Sequence, residues 1–395
     1  MYFKKRHSAH HKHELGKVFA WLALTVGLGN AAFWTIFPLV VENFIESEAK
    51  VGLFFSAISV LTMCGSLLST VILRHFSRIK VTKYSLLLIT ISLVIITLIS
   101  KLFHLPFVEI PRAFFTLLVG IVLSLYVRDT AKSQNLGMTE GRYYLYANVG
   151  WLIGPLIGGI LGEYLSYDYA FLFSAGMYLI SLMIFHHQHI KQHPLIIHKK
   201  EKLTIKELWS NIKLFFKKKE LRKVYAVSLG MNYWWVISSI YIPIYIIEHG
   251  FGESVIGYIV AASMIPLILL EKLIGKLSDK HGIRIYVSLG FLILAIVTGL
   301  FNITPIATIV LMLMSVINFG SALIEPLQET YLFKEIKEKD EERFYGVYNT
   351  AEPVANIIAP LIGSGLIFFF GISGLWIGSS IMFLMFMIIA TRIKK

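Results

Sequence analysis

Two groups of polar side chains sit inside apolar stretches, where an ionisable group is costly and marks a candidate functional site. The first is Glu109, Arg112 and Thr116. Their i, i+3, i+7 spacing puts all three on one face of a helix. Arg112 could face a central cavity and pair with a carboxylate that lets go on protonation. Alternatively it forms a static pair with Glu109 near the outer interface. The second group is Ser315, Asn318, Ser321, Glu325 and Glu329, a polar stripe at helical spacing. Pro326 follows Glu325 and cannot donate a backbone hydrogen bond, which can free a carbonyl one turn earlier. Glu325 is the candidate proton carrier, and Glu352, followed by Pro353, is the second candidate. The plainer readings are a satisfied interhelical contact for Glu325, and interfacial positions near Lys334 and Arg343 for Glu329 and Glu352. Asn30, Asn148, Asn232 and Asn318 carry amides that avoid lipid. With Trp34, Arg112 and Trp235 they are the candidate lining of a substrate cavity that takes apolar or cationic compounds. The aromatic residues equally fit interfacial belts. Glu271 and Lys272 lie close to a basic loop, where pairing within the loop region is expected.

The chain around these groups is 56% apolar and 15% charged over 395 residues. A soluble domain is roughly 45–50% apolar and about 25% charged. Cores of ordinary size cannot hide this much apolar surface, which leaves an all-α polytopic membrane protein. The apolar fraction excludes disorder, and no G-X-Y or heptad pattern supports collagen or a coiled coil. The single cysteine, Cys64, excludes an intrachain disulfide and a Cys-based metal cluster. The net charge of +13 could suggest nucleic acid. Its basic residues instead come in short clusters between apolar runs, so no nucleic-acid partner is expected. No cleavage site follows the first apolar run, so it reads as a span and not as a secretory signal. No G-x-x-x-x-G-K-[ST], G-x-S-x-G or H-E-x-x-H occurs, so neither ATP, an enzymatic site, a cofactor nor a metal is expected. His7, His10, His11 and His13 could bind a metal but read as a solvated tail.

A helix needs about 20 apolar residues to cross the hydrocarbon. Twelve stretches qualify, near 18–41, 51–73, 84–103, 105–127, 143–165, 168–188, 224–247, 254–276, 285–302, 304–331, 345–370 and 372–391. Lysine and arginine concentrate in the N-terminal tail, in segments 74–83, 128–142, 191–223, 276–284 and 334–343, and in the C-terminal tail. The opposite side holds Lys50 and Lys101. The positive-inside rule then puts both termini in the cytoplasm of an inner-membrane protein. The organisation expected is a six-helix bundle in 1–190, a linker in 191–223 and a second six-helix bundle in 224–395. Within the linker, Ile205, Leu208, Trp209, Ile212, Phe215 and Phe216 form an apolar face opposite lysines, and Thr204 with Glu207 fits a capping box. This predicts an amphipathic helix on the anionic inner leaflet. One constant offset carries Pro38 onto Pro243 and Gly52 onto Gly257. The same offset carries Gly150, Gly154, Pro155 and Gly158 onto Ala355, Ala359, Pro360 and Gly363. Parallel repeats of this kind describe transporters with a midplane site.

Gly275-Lys-Leu-Ser-Asp279-Lys280-His-Gly282-Ile-Arg284 resembles the G-x-x-x-D-[RK]-x-G-x-[RK] loop of the major facilitator superfamily. In that family the loop implies a cytoplasmic latch controlling the outward-facing state. The first-half counterpart here reads Thr70, Arg74 and Ser77, so the family's first copy is lost. Gly150-Trp-Leu-Ile-Gly154-Pro155-Leu-Ile-Gly158-Gly159 resembles the antiporter motif G-x-x-x-G-P-x-x-G-G, which implies efflux. Its i+4 glycine ridge also fits ordinary close packing against another helix. Arg112 matches the basic residue of the span 4 motif R-x-x-Q-G, although Phe115 and Thr116 replace the last two positions. Pro38 sits where the resembled exporters place a proline in span 1.

The resemblance implies the major facilitator fold and a monomeric secondary active transporter working by alternating access. Its cargo would be amphiphilic small molecules exported against protons, as in multidrug efflux, with membrane lipid around it. Two alternatives remain: proton-coupled uptake of a sugar, peptide or organic acid, and a transporter-fold receptor or sensor.

Overall fold

The computed structural model describes residues 2–130, 136–187, 205–303, 306–337 and 340–394. Among them there is no strand. Six helices precede the linker: α1 (Tyr2–Ile45), α2 (Glu48–His75), α3 (Arg78–Ile96), α4 (Leu105–Thr130), α5 (Leu136–Tyr164) and α6 (Tyr167–His187). A short amphipathic helix follows, α7 (Ile205–Lys217). The rest comprises α8 (Lys219–Glu248), α9 (Glu253–His281), α10 (Ile283–Leu300), α11 (Ala307–Val316), α12 (Asn318–Ile324), α13 (Leu327–Glu335), α14 (Glu341–Tyr348) and α15 (Ala351–Thr391). Helix is forced by the solvent: lipid offers no hydrogen bonds, so each spanning backbone must satisfy itself.

Ten described stretches are long and apolar enough to cross a membrane. Two features reconcile this with the twelve spans expected. Arg343–Thr391 forms one such stretch, yet Gly371 inside it has φ 68 and ψ −173, a conformation open to glycine that breaks the helix into two crossings. α8 falls outside the ten because Asn232, Ser238, Ser239 and its tyrosines dilute its apolar character. The expected single helix over 304–331 is divided at Ile317 and again at Glu325-Pro326. These residues keep right-handed helical dihedrals, so the chain tightens there without turning away. The capping-box residue Thr204 lies outside the described residues.

The described chain forms two compact units. Unit 1 holds residues 1–44, 60–199 and 251–261, and unit 2 holds 45–59, 200–250 and 262–395. Each thus contains a short stretch from the other half of the sequence.

In unit 1, α3 packs on α4 and α6. Phe33, Phe37 and Phe171 form an aromatic core, and Thr25 and Ser181 hydroxyls meet at 2.7 Å. The glycine ridge of α5 lies directly on α1. A Cβ at Gly150 would stand 2.8 Å from the Leu28 nitrogen, one at Gly154 2.7 Å from the Leu28 oxygen, and one at Gly158 2.7 Å from the Ala32 oxygen. The start of α9 is held by the end of α5: Ser254 N donates to Glu163 Oε2 at 2.8 Å, where a carboxylate suits the positive end of a helix. Tyr167 Oη donates to Glu253 Oε1 at 2.8 Å.

In unit 2, α15 packs on α8 and α10, and α10 packs on α12. Gly290 and Gly320 let α10 and α12 touch backbone to backbone, each Cβ position lying within 2.8 Å of the other's oxygen. Trp234 and Trp376 are fully buried. At the start of α8, Lys223 Nζ donates to Glu220 Oε1 at 2.8 Å and also to the Arg392 oxygen, while Tyr331 Oη donates to Glu220 Oε2 at 3.0 Å. Burial pushes the Glu220 carboxyl up, but the hydrogen bonds from Lys223 and Tyr331 outweigh it and hold the group below its usual range.

The repeat is visible as matched contacts. In unit 2, a Cβ at Gly52 would lie 2.6 Å from the Pro360 oxygen. In unit 1, a Cβ at Gly257 would lie 2.5 Å from the Pro155 oxygen. The offset that relates the two glycines also relates the two prolines.

Replacing Gly154 by Val is expected to destabilise the protein by about 1–3 kcal/mol, because its side chain must displace backbone. Gly120→Ala, where nothing lies within 4 Å, is the control. Thermal unfolding in detergent should show a lower midpoint for Gly154→Val and no loss for Gly120→Ala.

Candidate functional site

α4 supplies Glu109 and Arg112, and the structure takes the second of the two arrangements that their spacing permits. Arg112 Nε and Nη2 donate to Glu109 Oε2 and Oε1 at 2.6 and 2.7 Å, a bidentate pair. Both residues are 1% exposed, so Arg112 does not face an open cavity here. Its guanidinium lies 3.7 Å over the Phe33 ring, and Nη1 has no hydrogen-bond partner among the described residues. Thr116 Oγ1 donates back to the Arg112 carbonyl at 2.9 Å and stays on the same helix face as the pair.

Unit 2 presents a different arrangement. Glu325 is exposed, at the junction between α12 and α13. Its Oε2 accepts from Trp235 Nε1 at 3.2 Å and from Gln328 Nε2 at 3.1 Å. Glu271 from α9 and Glu352 from α15 are electrostatic neighbours of Glu325, and both are exposed. Tyr348, whose hydroxyl pairs with Ser228, also feels Glu325. Asn232 Nδ2 donates to the Ser228 carbonyl at 2.9 Å one turn below Trp235. Four elements thus bring an indole, two amides and three carboxylates to one region of unit 2.

The remaining candidates divide. Asn318 is buried in unit 2, where its Oδ1 accepts from Trp234 Nε1 at 3.4 Å. It fixes α12 against α8 and lines no open face. Glu329 accepts from Tyr345 Oη at 2.8 Å. In unit 1, Asn148 is exposed, Trp34 is half-buried in edge contact with Phe33 and Phe37, and Asn30 Oδ1 is buried without a partner among the described residues. In the latch-like loop, Gly282 has φ 86 at the start of α10, which explains glycine there. Asp279 Oδ1 meets Lys334 Nζ at 3.4 Å, an exposed pair, while Lys280 is exposed and Arg284 half-buried. Gly275 has open space around it. Gly150, Gly154 and Gly158 serve the α5–α1 contact, and Gly159 approaches the Glu253 oxygen. The side chains of Thr70, Arg74 and the four tail histidines lie outside the described ones. No group of metal-binding residues occurs among the described residues.

Gln328 and Tyr348 were not anticipated. Gln328 stands three residues after Glu325, the spacing of same-face helical neighbours, and was legible in the sequence. Tyr348 comes from a separate helix, and no local signal announces it.

Removing Glu109 alone leaves a buried guanidinium unpaired and is expected to cost about 3–5 kcal/mol. Replacing both partners by apolar residues, Glu109→Leu with Arg112→Met, should restore most of that loss. Thermal unfolding of Glu109→Gln beside the double variant checks the order: the single change must be the worse.

The sequence profile of the Major Facilitator Superfamily matches residues 19–255 and 234–394. An MFS-type transporter of Methanocaldococcus jannaschii is 20% identical over 364 residues, spanning 91% of this chain and 93% of that protein. The solved nucleoside transporter NupG superposes with a TM-score of 0.76 at 12% identity, covering 95% of this chain and 98% of that one. A POT family transporter in complex with a thioalcohol-conjugated peptide gives 0.77 at 15% identity over 97% of both chains. These likenesses extend over the repeat, the helices and the loop motif described above. The chain is therefore a multi-pass membrane transporter, not an enzyme, and belongs to the Major Facilitator Superfamily.

Proposed function

We propose that this chain is a secondary active transporter that exports amphiphilic small molecules, cations foremost, in exchange for protons by alternating access. The observation that carries this reading is the exposed carboxylate Glu325, hydrogen-bonded to Trp235 and Gln328 with Glu271 and Glu352 nearby. A proton and an organic cation both neutralise such a group, so each displaces the other. On the acidic side a proton releases the cation; on the opposite side the cation releases the proton. That competition yields exchange without a further coupling element. The Trp235 ring adds an apolar and cation-attracting surface beside the charge.

The orientation proposed has both termini in the cytoplasm of a cell membrane, because basic residues cluster in the alternate loops on that side. The loop with Gly282 and the Asp279–Lys334 pair would then be cytoplasmic and act as the latch. Pro155 within the α5 glycine ridge supports export by its likeness to the antiporter motif. The protein is proposed to act as a monomer.

Ethidium accumulation in energised cells tests the proposal. Cells with the protein should accumulate less dye than cells without it, and Glu325→Gln should return accumulation to the level without protein. Unchanged exclusion by the Glu325→Gln variant would remove this residue from coupling. Raised uptake of a sugar, peptide or organic acid with no effect on dye would favour the nutrient symporter instead. Binding without movement of either would favour a sensor.

A further inference from the structure

We infer that Trp235 and Gln328 are positioning residues for proton–cation exchange: by donating to the same oxygen of Glu325, they leave Oε1 as the atom for which proton and cargo compete. The inference rests on the exchange proposed above and adds which atom carries it and what holds that atom in place. Trp235 Nε1 donates to Glu325 Oε2 at 3.2 Å, and Gln328 Nε2 donates to the same oxygen at 3.1 Å. Among the described residues none donates to Oε1. The two donors come from different elements, α8 and α13.

An indole N–H and an amide N–H donate and offer no lone pair in return. A proton on Oε2 would therefore point at other hydrogens. Oε2 stays the acceptor whether the carboxyl is charged or neutral, and the proton goes to Oε1. An organic cation is drawn to the same open oxygen. Occupancy by one excludes the other at a single atom, and the carboxyl need not rotate between the two states. A hydrogen bond to a carboxylate is also stronger than one to a neutral acid, so each donor supports the charged form that the cation requires.

Both donors are themselves held. Trp234, one residue before Trp235, is fully buried, and its Nε1 donates to Asn318 Oδ1 at 3.4 Å, which ties α8 to α12. Asn318 Nδ2 donates in turn to the Met314 oxygen at 3.3 Å. Gln328 is 7% exposed. Glu325 itself is exposed, and Pro326 beside it has no N–H with which to fix the chain. The orientation of this carboxyl thus comes from the two side chains. The titratable groups that act on it are Glu271 of α9, Tyr348 of α14 and Glu352 of α15.

Ethidium binding to the purified full chain in detergent, followed by its fluorescence across a pH series, tests this. The parent should release ethidium as the pH falls, and Glu325→Gln should lose that pH dependence. Trp235→Phe keeps the ring and Gln328→Met keeps the bulk, but each removes one N–H. Each should move the pH of half-release upward by about one unit, a tenfold change in proton affinity. This midpoint does not depend on the fraction of active protein, so a variant that folds less completely still reports it. A midpoint that stays in place or moves down in either variant, with the parent and Glu325→Gln behaving as stated, would overturn the inference and leave the exchange standing. Weaker binding at every pH with an unmoved midpoint would do the same. Binding by the parent that ignores pH would remove the exchange and this inference together.

Discussion

Backbone-to-backbone contact at glycine is the interaction on which the rest of the structure depends. Lipid tails are as apolar as leucine, so no hydrophobic gain drives one spanning helix against another. Close approach has to supply the attraction, and a single Cβ forbids it. The ridge Gly150, Gly154 and Gly158 seats α5 on the backbone of α1. Gly290 and Gly320 do the same for α10 and α12, and Gly52 and Gly257 seat on the oxygens of Pro360 and Pro155. The last pair repeats one contact in both units, which is what a duplicated bundle should do if the contact is a condition of folding.

Charges are treated in two distinct ways. Glu109 and Arg112 neutralise each other within one turn, 1% exposed and over a phenyl ring. This is a closed pair, whose satisfaction stabilises unit 1. Glu325, Glu271 and Glu352 remain exposed near one another, and among the described residues no cation pairs with Glu325. Placing carboxylates together on an apolar scaffold costs energy unless something positive visits them, and that requirement underlies the proposed exchange of proton and cation.

Much of this was legible in the sequence. Run length gave the helices, because hydrocarbon thickness acts on residues in order, and one constant offset between matching Pro and Gly positions gave their repeat. The i+4 spacing of the α5 glycines announced a contact ridge, and the i, i+3 spacing of Glu109 and Arg112 permitted the pair observed. What stayed hidden depended on partners distant in the chain. The electrostatic grouping of Glu325 with Glu271, Glu352 and Tyr348 joins residues from α9, α14 and α15 that stand far apart in the chain. Asn318 reads as a cavity amide until Trp234 is found beside it. The assignment of 45–59 to unit 2 and of 251–261 to unit 1 likewise has no composition boundary.

If cation and proton compete for the Glu325 region, cargo alone must move protons, and that movement is the most direct measurement. Purified protein is placed in liposomes containing a trapped pH-sensitive dye, with equal pH on both sides and an ethidium gradient. Ethidium moving down its gradient is predicted to drive protons the opposite way and shift the internal pH, with no shift for Glu325→Gln. Ethidium movement through the protein with no change of internal pH would contradict competition at this carboxylate.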